Sequence, residues 1–225
     1  MDRRASSVRP GGWCGRPWVV APQTPVSAFD RTLRAVATDL KKLKLRWALV
    51  GAVAVAARGV PRFTNDFDFA VAVGDDREAE ATVSRMMALG YQMATLLENE
   101  TTGEIVTARL WCRPLGGTQF IVDLLFQTSG LEAEVVAAAQ PVTVMPNLRV
   151  PVATRGHLIA MKILSVNADR GRDADDLTGL VGVAENADLE EARAGLRLLE
   201  QRDKSRGKDL LADLEAIVAR VRPSP

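Results

Sequence analysis

The chain has 225 residues, 47% of them hydrophobic, with 29 basic and 28 acidic side chains and a formal net charge of +1. That is enough apolar material for the core of one large or two small domains, and too balanced a charge to drive nucleic-acid binding globally, so any such contact must come from a local basic patch. Cys14 and Cys112 lie far apart and His157 is the only histidine, which excludes zinc-finger and cysteine-rich frameworks. No apolar run approaches the roughly 18 to 20 residues of a membrane span, and no apolar segment follows Arg3, Arg4 and Arg9 before Gly11. Neither a membrane association nor a secretory signal is therefore expected, and a cytoplasmic location is.

Residues 1–26 are rich in proline, glycine and arginine without helical or strand periodicity and read as a flexible arm, Trp13 and Trp18 included. Ser27 is placed to cap a helix in which Phe29, Leu33, Val36, Leu40 and Leu43 recur at spacings of three and four. Trp47 to Val50 reads as an apolar strand, Gly51 as a turn, and the small residues up to about Arg58 as a helix. A loop from Gly59 to Arg62 then leads to a second strand opening with Asp66-Phe67-Asp68. A helix over 77–89 stopped by Gly90, a strand over 91–97, and a hairpin of strands over 105–112 and 118–126 follow. Residues 131–139 read as a short helix and 142–152, with Pro146 and Pro151, as an irregular extended segment. Beyond a boundary near 153 the pattern is helical: about 155–167 behind the cap Thr154, then 173–184, 188–202 and 207–221. The expectation is an arm (1–26), a core (27–152) and a helical unit (153–225), with Leu210, Leu214, Ile217 and Val221 forming a bundle stripe.

Side chains two apart on a strand share a face, so Asp66 and Asp68 project together while Phe67 and Phe69 point the other way. Two carboxylates on one face repel, and hard oxygen donors of this kind suit Mg²⁺ or Mn²⁺. Asp123 is a third acid, on an otherwise apolar strand, where it must meet a cation or an arginine such as Arg109 to be tolerated. Carboxylates at a sheet end beside a glycine turn that opens a helix are what metal-dependent phosphoryl or nucleotidyl transfer requires. Lys162 sits on an apolar helix beside Ile159, Ile163 and Val166, so its ammonium must either reach solvent or meet an anion such as a triphosphate. Arg170 and Arg172 carry forked donors suited to phosphate, or they and Asp173 form a surface ion-pair turn that caps the next helix. Thr64 stands two residues before the acid pair, Arg58 and Arg62 add positive potential nearby, Asp175 and Asp176 fit the first turn of the following helix, and His157 reads as a partly exposed helical residue.

Val50-Gly51, the spacer, Asp66-Phe67-Asp68 and Ile121-Val122-Asp123 together resemble the nucleotidyltransferase superfamily of the DNA polymerase beta type. Ala52 departs from the family's usual Gly or Ser, which removes a hydroxyl contact to phosphate and leaves the backbone N–H. Lys162 followed by Arg170-Gly171-Arg172-Asp173 makes the chain resemble, over roughly residues 30–185, the toxins of the AbiE and MenT toxin–antitoxin systems. The resemblance implies an α/β fold, a nucleotidyltransferase-type mixed sheet with flanking helices plus a C-terminal helical bundle, and a cleft between the two. It implies Mg²⁺ or Mn²⁺ on Asp66, Asp68 and Asp123, with Asp123 also taking the proton of the attacking hydroxyl. It implies nucleotide and phosphate contacts from Gly51, Ala52, Thr64, Lys162, Arg170 and Arg172, and an orienting role for Asp173. The implied reaction moves a nucleotide from an NTP to an acceptor, the 3′ end of tRNA in the MenT group, and the implied partner is a cognate antitoxin. Small-molecule adenylylation, and nucleotide or partner binding without catalysis, are the alternatives.

Overall fold

The computed structural model describes residues 27–62, 64–114, 118–166 and 171–223. The first helix, α1 (Ala28–Lys42), starts where the Ser27 side chain accepts the Asp30 N–H at 3.0 Å, and its apolar stripe buries Leu33, Val36 and Leu40 completely. Then come β1 (Trp47–Val50), α2 (Gly51–Ala57), β2 (Asp66–Val71), α3 (Asp76–Ala88), β3 (Gln92–Glu98), β4 (Ile105–Trp111), β5 (Ile121–Leu125) and α4 (Glu132–Ala138). The hairpin β6 (Gln140–Met145) and β7 (Leu148–Val152) follows, and the chain closes with α5 (Arg155–Ser165), α6 (Gly171–Val183), α7 (Asn186–Gln201) and α8 (Leu210–Val221). The strands form one mixed sheet in the order β3-β4-β5-β2-β1-β7-β6.

β2 is central in the part of the sheet that matters most. It pairs antiparallel with β1, placing Val50 opposite Asp68, and parallel with β5, placing Asp68 opposite Asp123. β4 pairs antiparallel with β5 and sets Arg109 opposite Asp123. Because register partners share a face, Asp66, Asp68, Asp123 and Arg109 all project to one side of the sheet. The other side is the core. Phe67 and Phe69 are fully buried there; Phe67 packs with Phe29 and Phe120 at centroid distances of 4.6 and 5.7 Å, and Phe69 with Trp47 at 5.4 Å. Buried apolar residues continue from α1 through the sheet into α5, α6, α7 and α8 as one cluster, so the helical half shares its core with the sheet.

Two expectations from the sequence are corrected. Residues 142–152 belong to a paired hairpin and are not an irregular extension, with a register shift between Thr143 and Met145 and Asn147 at φ 59° in the turn. Pro151 has Pro141 as its register partner, so the two missing N–H donors fall at one rung next to the sheet edge, and Pro146 lies in the turn between the strands. His157 is buried, not partly exposed: its Nδ1 lies 2.8 Å from Thr154 Oγ1 and 3.3 Å from Glu191, and burial holds the imidazole below its ordinary pKa. Arg58 also has a different task from the one its charge implies. Its guanidinium donates to the carbonyls of Ala153 at 2.8 Å and Val152 at 3.1 Å, tying the end of α2 to the end of β7.

Replacing Phe67 by alanine removes the centre of the aromatic cluster under the acid strand. The expected cost is about 3–5 kcal/mol of unfolding free energy, read as a lower urea midpoint; a loss below about 1 kcal/mol would mean that the cluster does not support β2.

Candidate active site

The site begins with one backbone constraint. Val50 is the last residue of β1, and Gly51 turns the chain into α2 with φ +62°. A Cβ on Gly51 would lie 1.9 Å from Asp68 Oδ2, so the acid strand and the helix start approach closer than any other residue type permits. Asp66 and Asp68 then face a cavity of about 370 Å³ that Gly51, Ala52, Thr64, Lys162 and Asp173 also line. With Arg62, eight of the residues singled out in the sequence are thus brought to one cleft, with α2 and β2 on one wall and α5 and α6 on the other, while Asp123 stands beside Asp68 in register and does not itself line the cavity. Arg170 and the side chain of Arg172 lie outside the described residues.

The three acids differ in how they are compensated. Among the described residues, neither Asp66 nor Asp68 has a hydrogen bond or ion pair to its carboxylate. Burial, then the negative charges of Asp123 and Asp66, push the Asp68 carboxyl up to about 7. Asp123 is instead held in a two-pronged bond from Arg109, Nε to Oδ1 at 2.8 Å and Nη2 to Oδ2 at 2.6 Å. Among the described residues no group of three or more acids, histidines or cysteines is arranged to hold a metal ion. The donor set open to a divalent cation is therefore the Asp66–Asp68 pair, whose repulsion such an ion would relieve, and the Arg109 fork draws Asp123 toward β4. Each Asp123 oxygen still has a second lone pair with which to accept a hydrogen bond or a proton.

On the opposite wall, Lys162 Nζ contacts Asp173 Oδ1 at 2.5 Å and Asp176 Oδ2 at 2.8 Å, and Asp176 also pairs with Arg62 from the loop before β2. The ammonium therefore meets anions of the protein itself, and Asp173 orients Lys162. Asp176 is not a solvated dipole residue in the first turn, as its position in the sequence implied: it is buried and bridges the two halves. Asp173 and Asp176, three apart on a helix, share a face, and that spacing beside a lone lysine on a neighbouring helix was the available signal. Thr64 Oγ1 accepts the Asp66 N–H at 3.2 Å, fixing the loop where the acid strand begins. Thr128, Ser129 and Arg206 complete the lining without having been identified in the sequence, because they come from loops that only the fold brings here. Cys112 is buried, and burial pushes its thiol up to about 12, which removes it as a nucleophile.

The close approach at Gly51 can be tested without reference to turnover. Gly51→Ala is expected to lower stability by about 1–3 kcal/mol, and by clearly less in an Asp68→Ala background, where the clashing carboxylate is gone. Equal losses in the two backgrounds would show that Asp68 is not what excludes a side chain there. Asp68→Asn alone should raise the urea midpoint, since it removes a poorly compensated buried charge.

The chain matches a family model described as "Nucleotidyl transferase AbiEii toxin, Type IV TA system" over residues 33–223. No curated protein matches it in sequence. Its structure is similar to that of an antigenic nucleotidyltransferase-like protein from Paracoccidioides brasiliensis, at 17% identity and a TM-score of 0.51, covering 88% of this chain and 97% of the other. Weaker similarity extends to JHP933 from Helicobacter pylori, at 14% identity and a TM-score of 0.46 over 86% and 89% of the two chains. A lincosamide antibiotic adenylyltransferase, LnuA, with lincomycin bound, matches at 13% identity and a TM-score of 0.43 over 69% and 98%. The mixed sheet with Gly51 against Asp68 is thus a nucleotidyltransferase-type fold, and the chain belongs to the AbiEii nucleotidyltransferase toxin family of type IV toxin–antitoxin systems and is a nucleotidyltransferase enzyme.

Proposed function

We propose that the protein transfers a nucleotide from a Mg²⁺-bound NTP to the 3′ end of tRNA, acting as the toxin of a toxin–antitoxin pair. The observation that carries the metal-dependent reading is the Asp66–Asp68 pair, adjacent acids without an ionic partner among the described residues, facing a cleft whose other wall holds Lys162. Mn²⁺ would suit the same oxygen donors. Bound there, the divalent ion would draw charge from the phosphate oxygens and ease attack at the α-phosphorus. Asp66 and Asp68 would hold it, and Asp123 lies next to Asp68 in register as the further acid.

The remaining work falls to the chain's own groups. The acceptor hydroxyl loses its proton to a carboxylate oxygen of Asp123, while the Arg109 fork keeps that carboxylate turned to one side. The new bond joins the acceptor oxygen to the α-phosphorus, the bond between that phosphorus and the bridging oxygen toward the β-phosphate breaks, and pyrophosphate leaves. Lys162, steadied by Asp173, neutralises charge on the leaving phosphates. Gly51 and Ala52, at the start of α2, bring backbone to the edge of the same cavity, with Thr64 at its entrance. Arg170 and Arg172 add phosphate contacts on the strength of the family resemblance alone. The tRNA acceptor and the toxin role draw support from membership of a toxin family, which also implies a cognate antitoxin. Among the described residues no helix is long and apolar enough to cross a membrane.

Purified protein incubated with Mg²⁺, total tRNA and each α-labelled NTP in turn should label tRNA 3′ ends with one preferred nucleotide. The Asp66→Asn, Asp68→Asn double variant should lose at least about 10³-fold in rate while remaining folded, and EDTA should abolish labelling by the wild type. Undiminished labelling by the double variant would remove the acid pair from the mechanism; a folded wild type that labels no tRNA would remove the acceptor.

A further inference from the structure

We propose that the open sheet face beyond Arg109, together with the loop joining α7 to α8, is the acceptor side of the enzyme and grips the phosphodiester backbone of an RNA 3′ end through Lys204 and Arg206. This rests on the reading of the protein as an RNA-modifying transferase and adds where the acceptor lies.

Asp68, Asp123 and Arg109 are consecutive register partners across β2, β5 and β4, and Thr107, two residues before Arg109, projects to the same face. One end of this row is walled by α2 and by Lys162 on α5, where the nucleotide is proposed to lie. A transfer reaction needs its second reactant to approach the same acids from a different direction, and the other end of the row runs to the edge strand β3, whose residues are nearly all exposed. There a second cavity, of about 780 Å³, is lined by Leu97, Thr107, Gln127, Thr128, Lys204 and Arg206. It shares Thr128, Ser129 and Arg206 with the acid-lined cavity, so the two spaces meet along one wall.

The loop supplies the charge. Arg202, Lys204, Arg206 and Lys208 alternate along it, and the outer two are engaged in holding it. Arg202 bonds Glu134 and the Gly130 carbonyl, both at 2.6 Å, and Lys208 donates to the carbonyls of Ile163, Leu164 and Val166 at the end of α5. The inner two are left for the cavity. Among the described residues Lys204 has no ion pair, and Arg206 bonds only a carbonyl, that of Thr128 at 2.5 Å, and is exposed. Left-handed backbone at Asp203 (φ 55°), Arg206 (φ 55°) and Gly207 (φ 73°) gives the loop a defined course. Glu100 and Asp203 also line the cavity, but of the three residues shared with the acid site the charged one is the cation Arg206. With the half-exposed Arg109 on the same side, a cationic small acceptor would meet like charge on its way to Asp123, whereas a phosphodiester would be attracted.

The test compares the wild type with a Lys204→Ala, Arg206→Asn double variant, asparagine being chosen because it tolerates the left-handed backbone of position 206. In the labelling assay with total tRNA, KM for tRNA should rise about tenfold while KM for the NTP is unchanged, and Arg206→Lys alone should stay within about twofold of the wild type. Independently of turnover, fluorescent tRNA should bind Asp66→Asn, Asp68→Asn protein, and the two loop substitutions added to it should make log Kd less dependent on log salt by about 1.4, roughly 0.7 for each lost single-strand phosphate contact. An unchanged KM for tRNA with an unchanged salt slope would overturn the assignment, as would a rise in KM for the NTP instead. If the wild type binds tRNA through this loop but never labels it, the transfer reading fails and the groove assignment stands. If tRNA is labelled and the loop variant binds and reacts as the wild type does, the groove assignment fails and the transfer reading stands.

Discussion

Repulsion among Asp66, Asp68 and Asp123 is the constraint to which the rest of the molecule answers. Three carboxylates on one face of two paired strands would separate the strands or stay protonated if nothing opposed them. The register of the sheet makes separation impossible, because moving the acids apart would also expose Phe67 and Phe69, which are fully buried on the reverse face. The opposition is uneven. Arg109 answers Asp123 with two short hydrogen bonds, and Asp68, close to the Gly51 backbone, is left with a carboxyl pushed up to about 7 by burial and by its acidic neighbours. A protein that needed only stability would have no use for that arrangement; an enzyme that recruits a cation, as proposed above, would.

The cleft's second wall repeats the theme with the signs mixed. Lys162 is held between Asp173 and Asp176, and Asp176 reaches across to Arg62, so a chain of alternating charges runs from the helical half to the loop ahead of the acid strand. Buried ion pairs of this kind contribute little net stability over an apolar replacement. What they provide is geometry: the ammonium cannot swing away to solvent, and the loop carrying Thr64 is tied to α6. The continuous apolar core across the sheet and the helices does the holding, and the ion network sets where charge faces the cleft.

Much of this was legible in the sequence because it depends on short periods. The two-residue spacing of Asp66 and Asp68 with phenylalanines between, the isolated Gly51 between an apolar strand and a small-residue helix, and the caps Ser27 and Thr154 are local signals, and each is found where local physics puts it. Asp123 was legible as a costly acid on an apolar strand, but its partner could not be chosen until β4 paired with β5 and set Arg109 opposite it. The β6–β7 hairpin was obscured by prolines whose cost depends on facing each other across one rung, a fact of register and not of composition. Asp176 was misread because two neighbouring aspartates near a helix start look alike in sequence, while the rotation of α6 buries one and exposes the other. Arg206 gave no signal at all: a basic residue in a loop remote in sequence from Asp66, Asp68 and Asp123 acquires meaning only when α7 and α8 close on the sheet.

That closure links the two sides of the cleft mechanically. Lys208 spends its three donors on the last carbonyls of α5, which an α-helix leaves unsatisfied and which carry the negative end of its dipole. The loop bearing Arg206 is therefore fastened to the helix that carries Lys162, four residues before the last of those carbonyls. The cation proposed to face the leaving phosphates and the cation proposed to receive the acceptor are thus mounted on one rigid piece, while the acids and Arg109 are mounted on the sheet. On this view the alignment of the two reactants depends on a single relationship, the docking of α5 on the sheet beside Gly51. In the proposed mechanism the mutual fit of Gly51 and Asp68 would then fix not only where an ion binds but also the spacing across which one reactant must reach the other.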